Sequence, residues 1–225
     1  MNIRKYSKTG SFHAGAGVEN QDYLYSLEGR DYLAVMLADG ATACKQGRRG
    51  ALLACEAAGQ IIQKEGKTFF HYPGEKIAYL MTEQILYWVE RYKREEEDIH
   101  DYGSTFILAF MEKKTGRTVL INLGDGAIFS VKDQKSICVM KPERYRGHPG
   151  LTTTNGVYRL MRVAVRNVAL GESVLLCSDG FLDLLNRGSG LEVPDLSGLE
   201  LLENKMMGME NKDDCSYIGF VRERK

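Results

Sequence analysis

The stretch LAVMLADGATAC, Leu33 to Cys44, runs an apolar segment straight into Asp39 and then Gly40. Asp-Gly after an apolar run is the ordinary signature of a tight hairpin turn. The pattern recurs, however. Leu120 to Gly126 reads LINLGDG and Val174 to Gly180 reads VLLCSDG, each an apolar strand-like run closed by an acid and a glycine. Two further acidic segments flank β-prone runs: Glu19-Asn20-Gln21-Asp22 before Tyr23–Leu27, and Lys212-Asp213-Asp214 before Cys215–Val221. Any one of these is explained by a turn former or a side-chain cap. Together they raise a second reading, in which several strand ends aim carboxylates at one place.

The periodicity around these sites sets the fold class. Residues 31–38 read as a buried strand. From Arg48 to Gln63 the apolar or small positions Ala51, Ala54, Cys55, Ala58, Ile61 and Ile62 repeat at helical spacing. A second helix is expected after Tyr72-Pro73-Gly74, with Ile77, Met81, Ile85, Trp88 and Tyr92 on one face. Then come short β-prone runs, Ser104–Met111, Arg117–Leu123, Ala127–Val131 and Ile137–Met140, separated by turn residues, which read as a meander. Residues 141–156, KPERYRGHPGLTTTNG, read as an irregular excursion. Strands are expected again at Val157–Val165 and Ser173–Cys177, a short helix near Gly180, a helix over Gly198–Met207 and a last strand over Ser216–Val221. Antiparallel sheets with an early helical hairpin make an α+β chain in one domain, residues 1–225.

Composition narrows the function classes. Thirty basic and thirty acidic residues cancel, so no global field draws in nucleic acid or an anionic membrane. Five cysteines, scattered and without a CxxC pair, point to reduced thiols in a cytoplasmic protein. The segment MNIRKYSKTG lacks the apolar core of a signal peptide, and no apolar run reaches membrane-spanning length.

Clustered carboxylates repel one another unless cations neutralise them. Oxygen-only ligands favour hard ions such as Mg²⁺ or Mn²⁺, and the four histidines, His13, His71, His100 and His148, show no metal-ligand spacing. Two such ions close together can hold a water between them, lower its pKa and present it to phosphorus. The residues alone therefore point to a two-metal hydrolase of phosphate esters.

The ordered set NQD (20–22), LADG (37–40), GST (103–105), NLGDG (122–126), CSDG (177–180) and KDDCS (212–216) resembles the metal-dependent Ser/Thr protein phosphatase family (PPM, protein phosphatase type 2C). The segment from His13 to Asp22, with an H-x3-G-x3-QD pattern, is similar to a compact bacterial branch. The resemblance runs from about Gly10 to Val221. It implies a four-layer α-β-β-α sandwich of two antiparallel sheets flanked by helices. It also implies hydrolysis of phosphoserine and phosphothreonine in proteins, by a water or hydroxide bridging two Mn²⁺ or Mg²⁺ ions.

Carried over position by position, the resemblance makes Asp39 the bridge between two metals and the Gly40 carbonyl a further ligand. Asp179 and Asp213 would hold the other metal, so that Asp39 and Asp179 act catalytically through metal-activated water. Asp22 would orient metal-held waters, and Asp125 would join Asp179 at a third, weaker site. At Asp213-Asp214 the family usually reads Asp-Asn, which assigns the ligand to Asp213. Gly103-Ser104-Thr105 would be a strand start near the site.

Three departures stand out. The arginine that precedes NQD in many relatives and grips the substrate phosphate is replaced by Gly15-Ala16-Gly17, leaving Arg48, Arg49 or His13 as weak substitutes; for His13 a structural hydrogen bond is the simpler role. Ala41 stands where eukaryotic relatives often carry a histidine, so protonation of the leaving group would fall to metal-bound water. Gly126-Ala127 stands where the family has Ser-Arg. The substrate-selecting flap, residues 141–170, is short. The expected partner is a phosphorylated protein, in opposition to a Ser/Thr kinase, and a monomer is expected. The alternatives are a phosphatase-like binding or sensor module and a hydrolase of small phosphate esters.

Overall fold

The computed structural model describes residues 2–187, 193 and 196–223. The chain enters as strand β1 (Asn2–Lys8), turns through a short helix α1 (Ser11–Gly15), and forms the hairpin β2 (Asp22–Glu28) and β3 (Tyr32–Asp39). Two long helices follow, α2 (Gly47–Phe69) and α3 (Gly74–Tyr92). Next come β4 (Phe106–Glu112), β5 (Arg117–Leu123), β6 (Ala127–Lys132) and β7 (Lys135–Met140). A small ribbon, β8 (Arg144–Tyr145) and β9 (His148–Pro149), precedes β10 (Arg162–Asn167) and β11 (Ser173–Cys177). Helices α4 (Asp179–Arg187) and α5 (Leu199–Met207) lead to β12 (Cys215–Val221).

The strands build two five-stranded antiparallel sheets, ordered β1-β12-β11-β6-β7 and β10-β5-β4-β3-β2. Strand β3 shows why its sequence is apolar throughout. Leu33, Val35 and Leu37 point into the core between the sheets, where they meet Ile128, Val174, Leu176, Ile218 and Phe220 of the opposing sheet. Ala34, Met36 and Ala38 point the other way and pack under α2 and α3 with Ala54, Ala58, Ile77 and Met81. A strand buried on both faces needs apolar residues at every position. On the far side, Leu175, Cys177 and Tyr217 pack against Phe181 and Leu184 of α4 and Leu199 and Leu202 of α5. Helices, sheet, sheet, helices: these four layers are the expected α+β sandwich. Among the described residues no helix is long and apolar enough to cross a membrane.

Several expectations need correction. The four runs between 104 and 140 do not form one meander. β4 and β5 pair in one sheet, β6 and β7 in the other, and the chain crosses between sheets at Gly124-Asp125-Gly126. The strand expected from Val157 begins only at Arg162. Val157–Arg159 is a helical turn because Val157 and Met161 are drawn into the core beneath α3. Helix α2 runs past Gln63 to Phe69, since buried Phe69 and Phe70 anchor its end against Phe110. The N-terminal residues, read only for what they lack, are the edge strand β1 paired along its length with β12.

The layout concentrates chemistry at one end of the sandwich. β3 finishes there with Asp39, the sheet crossing places Asp125 there, β11 hands over to Asp179, and Asp213 lies just before β12 begins.

Candidate active site

Asp22 and Asp39 lie directly opposite each other in the β2–β3 pairing. Thr105 fixes the end of β3: its amide donates to the Asp39 carbonyl at 2.8 Å, and its hydroxyl accepts from the Asp39 amide at 3.1 Å. Gly40 is a glycine because of close approach, not because of a turn dihedral. A Cβ there would overlap the Gly47 carbonyl group at the start of α2. The Gly40 amide donates to the Gln21 carbonyl at 3.1 Å, whereas no donor among the described residues meets the Gly40 carbonyl. Asp179 opens α4, where an anion is favoured by the helix dipole, and its Oδ1 accepts from the Gly180 amide at 2.7 Å.

These residues meet in a cavity of about 380 Å³ lined by Asp39, Gly40, Asp125, Asp179 and Asp213, with Thr42, Thr105 and His148 completing its polar wall. Asp22 faces Asp39, buried, and the Ser216 hydroxyl is the one neighbour that favours its charged form. Burial, reinforced by the surrounding carboxylates, pushes the Asp22 carboxyl up to about 8. The same causes, burial first and then Asp125 and Asp213, push Asp179 up to about 7. Asp39 is held well above the usual carboxylate range by burial and by Asp22, Asp179, Asp213 and Asp125 in turn. Asp213 is raised as well, chiefly by burial. The site stores repulsion between acids.

Asp214, the neighbour of Asp213, does different work. It is buried and accepts from the Gly10 amide at 2.8 Å and the Gln21 amide at 2.6 Å, and it pairs with His13 Nδ1 at 2.9 Å. Asp213 lines the cavity while Asp214 ties α1, the β2 entry and β12 together. His13 is thereby committed to a structural bond. Arg48 bonds the Asn20 carbonyl and pairs with Glu19 at 3.1 Å, and Arg49 donates to the Tyr92 carbonyl at 2.8 Å. None of the three weak phosphate-binding candidates lines the cavity.

The sequence missed two residues that do reach the site. Arg144 pairs with Asp125, Nη2 to Oδ2, at 2.9 Å. His148, across the same small ribbon, forms part of the cavity wall. A signal for them existed in Arg146-Gly147, where both residues adopt positive φ, 53° and 87°, as a two-residue hairpin requires. Without that hairpin the segment reads as irregular, and its side chains have no direction.

Whether a cation fits here turns on the donors. Apart from the His148 imidazole the polar groups are oxygens, among them a free carbonyl, and Asp22, Asp39, Asp179 and Asp213 are all penalised for their charge. Among the described residues, no three His, Cys, Asp or Glu side chains close around a single point. Mg²⁺ and Mn²⁺ are hard ions that keep several waters and take one or two carboxylates, so they do not require such a cage. The residues fit hydrated divalent ions.

The family description "Protein phosphatase 2C" matches residues 9–202, and the chain belongs to the protein phosphatase 2C family of hydrolases. No curated protein matches the sequence. Solved structures are similar at low identity. A bacterial serine phosphatase superposes with TM-score 0.73 at 14% identity, covering 100% of this chain and 99% of its own. The Ser/Thr phosphatase Stp1 from Staphylococcus aureus gives 0.68 at 12%, covering 98% and 94%. The catalytic domain of the Ser/Thr phosphatase PstP, solved in complex with 2 manganese ions, gives 0.64 at 17%, covering 97% and 96%.

Proposed function

We propose that this chain is a divalent-cation-dependent phosphatase that removes phosphate from serine and threonine side chains of proteins. The observation that carries the reading is a cavity walled by Asp39, Asp125, Asp179 and Asp213, with buried Asp22 paired opposite Asp39. Such an arrangement is unfavourable without positive charge and serves no packing purpose. Asp39, the Gly40 carbonyl, Asp179 and Asp213 would hold the ions, with Asp22 and Asp125 acting beside them. Bound there, the ions supply charge against the phosphoryl oxygens and acidify water towards neutral pH.

The chain's own groups do the rest. Thr105 and the tight β3–α2 turn fix Asp39 and Gly40, so their oxygens need no reorganisation when substrate arrives. The segment Ala41-Thr42-Ala43 and the β9 residues His148 and Pro149 line the cavity, where they would orient an ester. His148 is the one imidazole of that lining, and it would pass a proton to the leaving oxygen of serine or threonine. In that role it would take the place of the histidine absent after Asp39-Gly40. The family's substrates, phosphoproteins, make a Ser/Thr kinase the natural opponent.

The test is hydrolysis of an aryl phosphate, then of phosphoserine and phosphothreonine peptides, with Mn²⁺, with Mg²⁺ and with chelator. Turnover that needs a divalent ion and extends to the peptides is expected. Turnover confined to the aryl ester would replace the protein substrate with small phosphate esters. Ion binding without turnover would make the chain a binding module.

A further inference from the structure

One cation reaches the acids of the cavity among the described residues. Arg144 pairs with Asp125, yet its side chain is 58% exposed while that of Asp125 is 8% exposed. No other acceptor among the described residues meets the guanidinium, so its remaining donors are open to solvent beside Asp125, a residue of the cavity lining. Its aim is set by the base of the ribbon. The Glu143 amide donates to the Gly124 carbonyl at 3.0 Å, beside Asp125 in the sheet crossing. Arg162 holds the Lys141 carbonyl and pairs with Glu143 at 2.6 Å, and the Asn122 amide group donates to the Lys141 carbonyl at 3.3 Å. At the other end Tyr145 and His148 stay in register around the two-residue turn. The ribbon is thus anchored at its root and closed at its tip, with Arg144 held at Asp125 and His148 in the cavity wall.

A guanidinium fork matches carboxylate and phosphate equally well in shape, and a phosphate monoester offers it more charge than one carboxylate. Arg48, Arg49 and His13 are engaged elsewhere, so nothing else among the expected residues competes for the role. We propose that Arg144 is the phosphate clamp of this site: on substrate binding its guanidinium shifts from Asp125 to the non-bridging phosphoryl oxygens, and Asp125 is its resting partner. This rests on the phosphatase reading of the cavity and supplies the phosphate ligand that the N-terminal segment lacks. A phosphate clamp carried on the flap ribbon also ties substrate grip to the segment that selects substrates.

The test uses inorganic phosphate as the probe, as a competitive inhibitor of aryl phosphate hydrolysis and by direct calorimetric titration in Mg²⁺. Arg144→Ala is expected to raise both KM and the phosphate inhibition constant about tenfold or more, the scale of a lost charge-assisted hydrogen bond, with a smaller change in kcat. Arg144→Lys should recover part of that loss. Arg146→Ala removes a neighbouring positive charge from the same ribbon, one that lies over the Tyr145 ring and makes no ion pair among the described residues, and separates a specific clamp from general charge. It should leave phosphate binding within about twofold if Arg144 is the clamp. Equal weakening in both alanine variants, or none in Arg144→Ala, would overturn the proposal while leaving the phosphatase reading intact. If the wild type shows no turnover with any ion, that reading falls by itself. The titration then still decides: phosphate heat lost in Arg144→Ala but kept in Arg146→Ala supports the clamp, and absent or unchanged binding overturns it.

Discussion

Asp22 and Asp214 are both buried carboxylates at the same end of the sandwich, and their surroundings are opposite. Asp214 has donors on every side: two backbone amides and the His13 ring converge on it. Asp22 has only the Ser216 hydroxyl to ease its charge, and the residue facing it across the sheet is another carboxylate. Glu172 repeats the Asp214 solution far from the site, bonded to Ser130, Arg166 and the Ala169 amide. Where this chain uses a buried acid for structure, it supplies donors. The acids of the cavity have fewer, one backbone amide each for Asp179 and Asp213 and Arg144 for Asp125, and the difference separates a fastening from a binding site.

The sharpest way to break that distinction is to neutralise each kind in turn. Asp39→Asn should lower ion-dependent turnover by about 10²–10³-fold, the scale of losing one charge-stabilising group at a reacting centre. The same change should raise the melting temperature of ion-free protein, because it removes repulsion. A fall in that temperature would show Asp39 to be structural. Asp214→Ala should do the reverse of stabilisation: it strands two buried amides and His13, at a cost of about 3–5 kcal/mol in urea unfolding. A loss below about 1 kcal/mol would dissolve the comparison.

Titration sharpens it further. Asp22 and Asp179 have folded-state values of about 8 and about 7, raised from 3.8. A carboxyl whose folded value is raised binds protons more readily in the folded chain. Ion-free stability is therefore fullest below about pH 4, falls as pH rises from the unfolded value, and reaches its floor above about pH 8. The expected loss is on the order of a few kcal/mol in thermal or urea melts of chelated protein between pH 5 and 9. Mg²⁺ or Mn²⁺ should restore it, most at high pH, because the ions bind the ionised form. A flat profile without ions would show that the carboxylates do not sense one another.

The sequence was most legible where one chemical demand acts at each position. β3 demanded apolar residues on both faces, and the Asp-Gly endings marked three of the strand termini that line the cavity. It was least legible where side chains serve an edge or a local turn. β1, NIRKYSK, is an edge strand with one face open, and its basic residues Arg4, Lys5 and Lys8 protect that edge while hiding the strand. The sheet crossing at Gly124–Gly126 looks like any hairpin turn, because only tertiary pairing tells which sheet receives the next strand. Asp213 and Asp214 are neighbours of the same residue type, and the resemblance, not the spacing, separated them. Arg144 and His148 were invisible until the ribbon gave them direction.

His148 offers a finer comparison within the site, between the residues that grip and the residue that passes a proton. His148→Gln should reduce turnover of a phosphoserine peptide about tenfold more than that of an aryl phosphate, since an aryl oxide departs without a proton and a serine alkoxide does not. Comparing kcat for the two substrates measures this. Equal losses would mean that His148 only shapes the wall.

The smallest effect belongs to the opposite end of the same sheet. There Lys67 and Asp31 pair at 3.7 Å, with side chains 87% and 61% exposed, beside a second cavity of about 320 Å³ floored by Tyr32, Phe70 and Phe110. Water already solvates both charges, so holding them together gains little and salt screens what remains. Lys67→Ala should change stability by less than about 0.5 kcal/mol and leave turnover unaltered. The pair has the charges of Arg144 and Asp125 without the burial of Asp125, and burial is what makes a charge consequential here. A Lys67→Ala variant that altered turnover would show that the far end of the sandwich communicates with the cavity, and that exposure alone does not make a charge inert in this fold.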